Sequence, residues 1–248
     1  MTRTVLFTAN GQSDDFELVA NPYNAAITRQ SFVEENGPLG TGVIDGTIYL
    51  WQDGGANLPN GTRAGSYLTI NASGTSTGGT FDGYIRSEQG FFVAANSTIE
   101  NTLSFTPSMQ SLDTDANTTD GFFRKSEQKI NISIAGNDQQ DELILEFVEG
   151  ASLQIDAGYD ALKLMNSGLS FYSMMGETPL AIQALPLFKQ ELKIPIGLNV
   201  SVAGEYVISV SEIEGSPNEE MIPVDFYTNQ EYQLASHSQI KLTLDEGK

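Results

Sequence analysis

The run KINISI at residues 129–134 alternates polar residues with isoleucine, and this alternation is the clearest indication of the fold. Successive side chains of a β-strand point to opposite faces of a sheet, so Ile130, Ile132 and Ile134 are expected to share one buried face. The same period of two recurs at Val5, Phe7 and Ala9; at Leu68 and Ile70; at Tyr206, Ile208 and Val210; and at Ile240, Leu242 and Leu244. The pattern predicts many half-buried strands.

Turn-forming clusters separate these strands at short intervals. They include Asn10-Gly11, Asp53-Gly54-Gly55, Asn60-Gly61, Gly78-Gly79, Gly136-Asn137-Asp138 and Gly215-Ser216-Pro217. Many short strands with frequent turns are typical of a β-sandwich or jelly roll. We therefore predict an all-β protein with very little helix, namely one short helix within residues 25–35 and one turn within residues 160–165. The Ser/Thr/Gly-rich stretch at residues 71–80 predicts a flexible loop.

A change in composition indicates two units. The chain has 248 residues, of which 40% are apolar, and this is enough for two domains with cores of their own. Every arginine lies at or before Arg124 and every lysine at or after Lys125. The change coincides with a loop and with the start of the KINISI strand. We predict a β-sandwich unit rich in glycine and aromatic residues at 1–124, and a second β-sandwich unit at 125–248.

The net charge restricts the partners. The chain has 32 acidic and 12 basic residues, which gives a formal net charge of −20. Such a surface repels phosphate backbones and anionic bilayers, so nucleic acid is not expected as a partner. No apolar run approaches the roughly 20 residues that span a bilayer, and membrane insertion is not expected either. Divalent cations would be attracted, although excess carboxylate also simply keeps a β protein soluble.

The residues that usually carry catalysis are scarce. The chain has no cysteine and a single histidine, His237, which stands between two serines. Neighbouring side chains of a strand point to opposite faces, and no nucleophile-elbow motif is present, so we assign no catalytic residue. Zinc sites draw on several Cys or His ligands, and none is expected here. We predict that the chain is not an enzyme; the enzymatic alternative is a glycosidase that uses two carboxylates alone.

One acidic loop is a candidate metal site. In DTDANTTD at residues 113–120, the side chains of Asp113, Asp115 and Asn117 have the alternate spacing of oxygen ligands in a calcium loop. Asp120 adds a further oxygen ligand. The glycine and glutamate that an EF-hand requires later in its loop are missing. We therefore expect either no cofactor and a polar loop between strands, or Ca²⁺ bound by these four residues.

An aromatic strand is the other candidate binding surface. In GTIYLW at residues 46–51, alternation places Ile48 and Leu50 on one face and Tyr49 and Trp51 on the other. If the two aromatic side chains face solvent beside the loop that begins at Asp53, they can stack on a sugar ring. The alternative is that Trp51 packs in the core of the first unit. Tyr49, Trp51 and Asp53 are thus candidate ligand-binding residues.

The run FELVANPYNAAI at residues 16–27 is similar to the F-x-L-x-G-N-P-Y-P-S-x-I segment of large proteins that Bacteroidetes export through the type IX secretion system. Later blocks follow in the order found in those proteins, among them GTIYLW at 46, SYLTIN at 66, QGFFVAA at 89, LSFTPSMQ at 103, DELILEF at 141 and IPIGLNVSVAGEYVISVSEIEG at 194. Ala20 and Asn24 replace a glycine and a proline of the pattern. The resemblance implies a β-sandwich stalk that precedes a C-terminal sorting domain.

Three hypotheses about function follow. The leading one is a non-catalytic structural or adhesion module of an extracellular or cell-surface protein, acting as a spacer or an assembly segment. Its partners would be other protein domains or subunits, and also the type IX secretion machinery if the parent chain carries a sorting domain. The first alternative is a carbohydrate-binding module with glycans as partners, with or without calcium. The second alternative is the carboxylate-only glycosidase.

Overall fold

The structure is a computed structural model, and it describes residues 1–8, 16–58, 63–96, 100–111, 128–187, 192–214, 222–225, 229–233 and 235–247. Strands predominate, and the described residues contain one α-helix, Arg29–Asn36. The prediction of an all-β, sandwich-like chain with very little helix is confirmed. In the same residues, no helix has the length and apolar character needed to cross a membrane.

The chain divides into two compact units, and each unit includes a segment from the other half of the sequence. The first unit consists of Met1–Gln52, Tyr67–Arg124 and Ile155–Leu164, and the second of Asp53–Ser66, Lys125–Gln154 and Met165–Lys248. The predicted blocks, 1–124 and 125–248, placed residues 53–66 in the first unit and residues 155–164 in the second, whereas the contacts group them the other way round. A change in local composition cannot indicate such an exchange, because the exchange depends on contacts between residues far apart in sequence.

Short strands make up most of the first unit. They are β1 Arg3–Thr8, β2 Phe16–Ala20, β3 Ala26–Thr28, β4 Ile44–Asn57, β5 Arg63–Ile70, β6 Ser76–Thr77, β7 Tyr84–Ile85, β8 Gly90–Ala95, β9 Glu100–Phe105, β10 Gln110–Ser111 and β13 Ala161–Leu162, with β4 and β5 continuing into the second unit. One sheet has the order β2-β8-β4-β5-β6, a smaller one has the order β10-β3-β7, and β1 pairs with β9. A short 3-10 helix, Pro107–Met109, precedes β10.

The helix α1, Arg29–Asn36, begins later than the sequence predicted. Thr28 has an extended backbone, and its Oγ1 accepts a hydrogen bond from Ser31 N at 3.2 Å. This is the geometry of a helix N-cap, so the residues before Arg29 form β3 instead. The Phe32 ring of the helix packs against the Phe91 ring of β8, with the ring centroids 5.2 Å apart. The helix thereby covers part of the five-stranded sheet.

The core of the first unit joins this sheet to the smaller elements. Its buried side chains include Val19, Ile48, Leu50, Leu68, Ile70, Phe91 and Val93 from the sheet, and Ile27, Phe32, Val33, Ile85, Leu103 and Phe105 from the other elements. The predicted burial of Leu68 and Ile70 is confirmed. Burying an aliphatic or aromatic side chain of this size contributes roughly 1.5–3 kcal/mol to folding.

The register of β4 against β8 shifts between Ile44 and Ile48. Gly46 lies in this irregular stretch with φ of 93°, a left-handed conformation that favours glycine. A Cβ atom at this position would also lie 2.9 Å from the Ala72 side chain. Any larger residue at position 46 would therefore disturb both the backbone and the packing at the start of β4.

The buried side chain of Asn21 connects two distant parts of the first unit. Its Nδ2 donates hydrogen bonds to the carbonyl oxygens of Ala25 (2.9 Å), Ile85 (3.2 Å) and Arg86 (3.0 Å). Its Oδ1 accepts a hydrogen bond from Tyr23 N at 3.0 Å. Asn21 belongs to the segment that resembles the exported proteins, so at least part of that segment has a structural role.

The stretch predicted to be a flexible loop, residues 71–80, is built around a buried asparagine. The Oδ1 atom of Asn71 accepts a hydrogen bond from Thr75 N at 2.9 Å, and its Nδ2 donates to Tyr159 O at 2.6 Å. Arg29 Nη1 donates to Asn71 O at 2.9 Å. Most of the stretch is a loop, as its Ser/Thr/Gly composition predicted, but Ser76–Thr77 form β6, and the composition does not show that Asn71 is fully buried.

The second unit is dominated by one sheet. Its strands are β11 Gln128–Gly136, β12 Gln139–Phe147, β14 Leu169–Met175, β15 Thr178–Leu185, β16 Ile196–Val200, β17 Gly204–Glu214, β18 Val224–Asp225, β19 Gln230–Glu231 and β20 Gln239–Leu244. Seven of them lie in the order β16-β14-β15-β12-β11-β17-β20, and β18 pairs with β19. The β12–β15 pairing is parallel, whereas the other neighbours in the sheet are antiparallel.

One face of this sheet forms the core of the second unit. Its buried side chains are Ile130, Ile132, Ile134, Leu143, Leu145, Phe147, Leu169, Phe171, Leu185, Val200, Tyr206 and Val210. The alternation in KINISI is therefore confirmed. The turn predicted within residues 160–165 is wrong, because Ala161–Leu162 form the short strand β13. Periodicity cannot separate helix from strand in so short an apolar run.

Candidate functional site

The structure places Tyr49 in the interior and not at the surface. Tyr49 is fully buried, and so are its neighbours Ile48 and Thr47. The Tyr49 ring packs against the Phe16 ring, with centroids 5.1 Å apart and planes at 86°. Both faces of β4 are therefore covered at this point. The hypothesis that Tyr49 faces solvent and stacks on a ligand is wrong.

Trp51, two residues further along β4, is 44% exposed. Its ring centroid lies 5.0 Å from that of Tyr67 on β5, and the Tyr67 centroid lies 5.8 Å from that of Phe92 on β8. On the edge strand β2, Leu18 stands directly opposite Phe92 and is 59% exposed. We call these four side chains, Leu18, Trp51, Tyr67 and Phe92, the aromatic strip. Of the four, Trp51 alone was predicted from the sequence to bind a ligand.

The sequence also indicates which face of the sheet Tyr67 and Phe92 occupy. Leu68 and Ile70 alternate as core residues, so Tyr67 must point to the opposite face of β5. Phe92 stands between the buried residues Phe91 and Val93, and the same argument places it on the opposite face of β8. The alternation gives the face of each residue, but only the pairing of β2, β8, β4 and β5 brings the four together.

Asp53, the third predicted ligand-binding residue, begins the segment that belongs to the second unit. Its side chain is exposed, and its Oδ1 accepts a hydrogen bond from Gly55 N at 2.9 Å. Both residues lie within β4, so the turn that the sequence predicted at Asp53-Gly54-Gly55 is not present. Asp53 belongs to the second unit and does not form part of the aromatic strip.

A polar cluster lies beneath the surface at the start of β4. Burial raises the pKa of the Asp45 carboxyl to about 7, although the hydrogen bond from Thr47 N (2.8 Å) opposes the shift. Asp45 as a whole residue is partly exposed, but its carboxyl is desolvated. Burial, together with the charge of Asp45, raises the pKa of Tyr49. The nearby Thr47 hydroxyl also favours the charged form of the Asp45 carboxyl. Among the described residues, however, no atom lies at hydrogen-bond distance and angle from Thr47 Oγ1.

A cleft opens elsewhere on the first unit, and sequence reasoning did not identify it. Its volume is about 460 Å³. The described lining consists of Leu50, Thr80, Phe81, Asp82, Tyr84, Arg86 and Gln89. We call it the end cleft. Asp82 is the one carboxylate in this lining, whereas a carboxylate-only glycosidase needs two. The glycosidase hypothesis therefore has no site among these residues.

The predicted calcium ligands, Asp113, Asp115, Asn117 and Asp120, lie outside the described residues, so calcium binding stays a prediction. In the part of the chain that the structure describes, no group of His, Asp and Glu side chains could hold a metal ion. His237 is exposed in a turn with φ of 64°, and not in the strand that the sequence suggested.

Comparison with known proteins matches the chain to a family. A sequence-family model described as a domain of unknown function, DUF8693, matches residues 2–238. No curated protein and no solved structure matches the chain. The match covers nearly the whole chain, including both units, so the two units together correspond to one family.

Proposed function

We propose that this chain, which belongs to the DUF8693 family of domains of unknown function, is a non-catalytic adhesion module of an extracellular or cell-surface protein. It binds its partner through the aromatic strip on the first unit, and the second unit acts as a spacer or assembly segment. The single observation that supports this function best is the half-exposed Trp51, packed against Tyr67 on the outer face of a sheet.

The packing within the aromatic strip favours a binding role. An exposed, contiguous apolar patch often marks an interaction site, and aromatic side chains are enriched in such sites. Trp51, Tyr67 and Phe92 each contact the next ring at an angle, which is the favourable edge-to-face arrangement. These contacts hold the rings in place before a partner binds. Little side-chain entropy would then be lost on binding.

The charge of the chain indicates which partners the aromatic strip accepts. With a formal net charge of −20, the protein repels anionic surfaces at long range. A neutral or cationic partner is therefore favoured. The resemblance to stalks of type IX secretion substrates supports an extracellular or cell-surface location. In that setting the secretion machinery would engage a sorting domain of the parent chain, and neighbouring domains or subunits would contact the spacer unit.

A carbohydrate-binding module is the second candidate function. The exposed Trp51 favours it, because the apolar face of a sugar ring packs well on an indole. Neutral polysaccharides carry no charge that this acidic protein would repel. This candidate differs from the first only in the partner, so one experiment with several surfaces separates the two.

Retention of protein-coated beads on defined surfaces tests the proposal. We expect beads carrying the wild-type chain to adhere to at least one of cellulose, chitin and gelatin. The double variant Trp51→Ala/Tyr67→Ala should bind that surface at least about tenfold more weakly, since truncating a central aromatic residue of an interface costs roughly 2 kcal/mol or more. Adhesion to the polysaccharides but not to gelatin would favour the carbohydrate-binding candidate.

The double variant Leu39→Ala/Leu153→Ala is the matched control. These two side chains are 57% and 53% exposed, which is more than Trp51, but neither belongs to the aromatic strip. Beads with this variant should adhere like wild type. Equal loss in both double variants would mean that exposed apolar surface in general causes adhesion. Wild-type beads that adhere to none of the surfaces would refute the proposed function.

A further inference from the structure

We infer that the end cleft is a binding site for a neutral sugar residue. It is a separate site from the aromatic strip, and the inference does not depend on the proposed function. The volume of about 460 Å³ is in the range of roughly 300–1,000 Å³ that is typical of small-molecule sites. One side of the cleft is open to solvent, so the end or a side residue of a longer glycan could enter it.

The wall of the end cleft is fixed before any ligand binds. Asn21 Nδ2 donates to Ile85 O and Arg86 O, and Asn21 N donates to Gln89 O at 3.1 Å. At the start of the same segment, Arg29 N donates to Gly83 O at 2.9 Å. Residues 83–89, which include β7, are therefore hydrogen-bonded at both ends to the rest of the first unit. A preformed wall reduces the entropy that ligand binding would cost.

The charged groups of the end cleft already neutralise each other. Arg86 Nη2 forms an ion pair with Asp82 Oδ2, and the two side chains are 57% and 55% exposed. Asp82 Oδ1 accepts a hydrogen bond from Tyr84 N at 3.1 Å, which orients the carboxylate. A charged ligand would have to compete with this ion pair. A neutral ligand can use the remaining N–H groups and lone pairs without breaking it.

Neighbouring hydroxyl groups of a sugar match this arrangement. A hydroxyl donates one hydrogen bond and accepts others, whereas a carboxylate only accepts and a guanidinium only donates. Adjacent hydroxyls can therefore donate to Asp82 and accept from Arg86 at the same time. The amide of Gln89 is held nearby, since its Oε1 accepts a hydrogen bond from Arg86 N at 2.8 Å.

An apolar wall completes the site. Leu50 and Tyr84 are buried except for the surface that lines the cleft, and Phe81 is partly exposed. The Arg86 guanidinium lies 5.7 Å from the centre of the Tyr84 ring, which restrains its position. A sugar ring has an apolar face for the Phe81 side and hydroxyls at its edge for the ion pair. Small zwitterions and carboxylates lack such a face.

Saturation-transfer NMR on the full chain tests this inference. The probes are methyl α-glucoside, methyl α-mannoside, methyl β-galactoside and N-acetylglucosamine, with glycine and acetate as charged probes. We expect saturation transfer to at least one of the neutral sugars. Arg86→Met keeps an aliphatic side chain beside Tyr84 but removes the donors, and it should weaken sugar binding about tenfold or more. Asp82→Asn keeps an acceptor for Tyr84 N and should weaken binding as well.

Two variants serve as controls, and melting curves show which proteins are folded. Arg3→Met removes an exposed arginine of the same unit, and it should bind sugar like wild type. Leu39→Ala changes an exposed apolar residue of the same unit, outside the aromatic strip, and should also leave this binding intact. If Arg86→Met does not fold, the sugar binding of Asp82→Asn alone tests the inference. The inference is overturned if no neutral sugar gives a signal, if glycine or acetate binds instead, or if sugar binding survives in Asp82→Asn. A signal lost only in Trp51→Ala would assign the sugar to the aromatic strip.

Discussion

Replacing Asn21 by alanine is expected to lower the free energy of unfolding by roughly 3–4 kcal/mol, because buried groups lose their hydrogen-bond partners. The Asn21 side chain is 1% exposed and bonds to four backbone groups. Alanine leaves the carbonyl oxygens of Ile85 and Arg86 without this donor. Chemical denaturation of the purified chain, followed by circular dichroism, measures the effect.

Asn96→Ala is the matched control for this prediction. Asn96 Nδ2 also donates to a backbone oxygen, that of Gly42 at 3.3 Å, but the side chain is exposed. Water can replace the lost hydrogen bond there, so we expect a change of about 0.5 kcal/mol or less. If Asn21→Ala unfolds at the same denaturant concentration as wild type, the buried amide does not have the role that its contacts imply.

Replacing Asp45 by asparagine is expected to stabilise the protein at alkaline pH. The folded-state pKa of Asp45 is raised from 3.8 to about 7 by burial. A carboxyl with a raised folded-state pKa stabilises the fold below its unfolded pKa, and this stability is lost as the pH rises through the folded pKa. A shift of this size corresponds to roughly 4 kcal/mol, and partial exposure of the residue reduces the expected effect to about 2–4 kcal/mol.

Asparagine keeps an oxygen that can accept the hydrogen bond from Thr47 N, and it removes the charge. Asp45→Asn should therefore exceed wild type in stability at pH 8, and the difference should shrink toward zero near pH 3, below the unfolded pKa, where the carboxyl is mostly protonated in both states. Asp53→Asn is the control, since Asp53 Oδ1 accepts the equivalent bond from Gly55 N in an exposed part of β4. Unfolding curves that run parallel across this pH range for wild type and Asp45→Asn would contradict the account.

Local periodicity predicted the strands well, because it reports directly on which side chains share a face. Ile130, Ile132 and Ile134 illustrate this, since all three are in the core of the second unit. The same reasoning correctly placed Tyr49 and Trp51 on one face of β4. It did not show that Tyr49 is fully buried while Trp51 is 44% exposed. Periodicity gives the face of a residue but not what covers it.

The end cleft could not be predicted from local patterns, because contacts between distant residues build it. Asn21 and Ile85 are 64 positions apart, yet their hydrogen bond fixes the wall of the cleft. The same limit applies to the exchanged segments 53–66 and 155–164. Turn chemistry did indicate loops at Gly78 and Gly79, but it could not indicate which side chains meet beside them.

The fluorescence of Trp51 reports whether the aromatic strip binds a partner, because Trp51 is the only tryptophan in the chain. Soluble oligomers of cellulose and chitin, and gelatin fragments, can be titrated into the protein while emission and iodide quenching are measured. If the aromatic strip is the adhesive surface, a probe that binds will shift the emission to shorter wavelength and protect Trp51 from iodide. Binding that leaves both the emission and the quenching unchanged, or the absence of binding by every probe, would contradict the account.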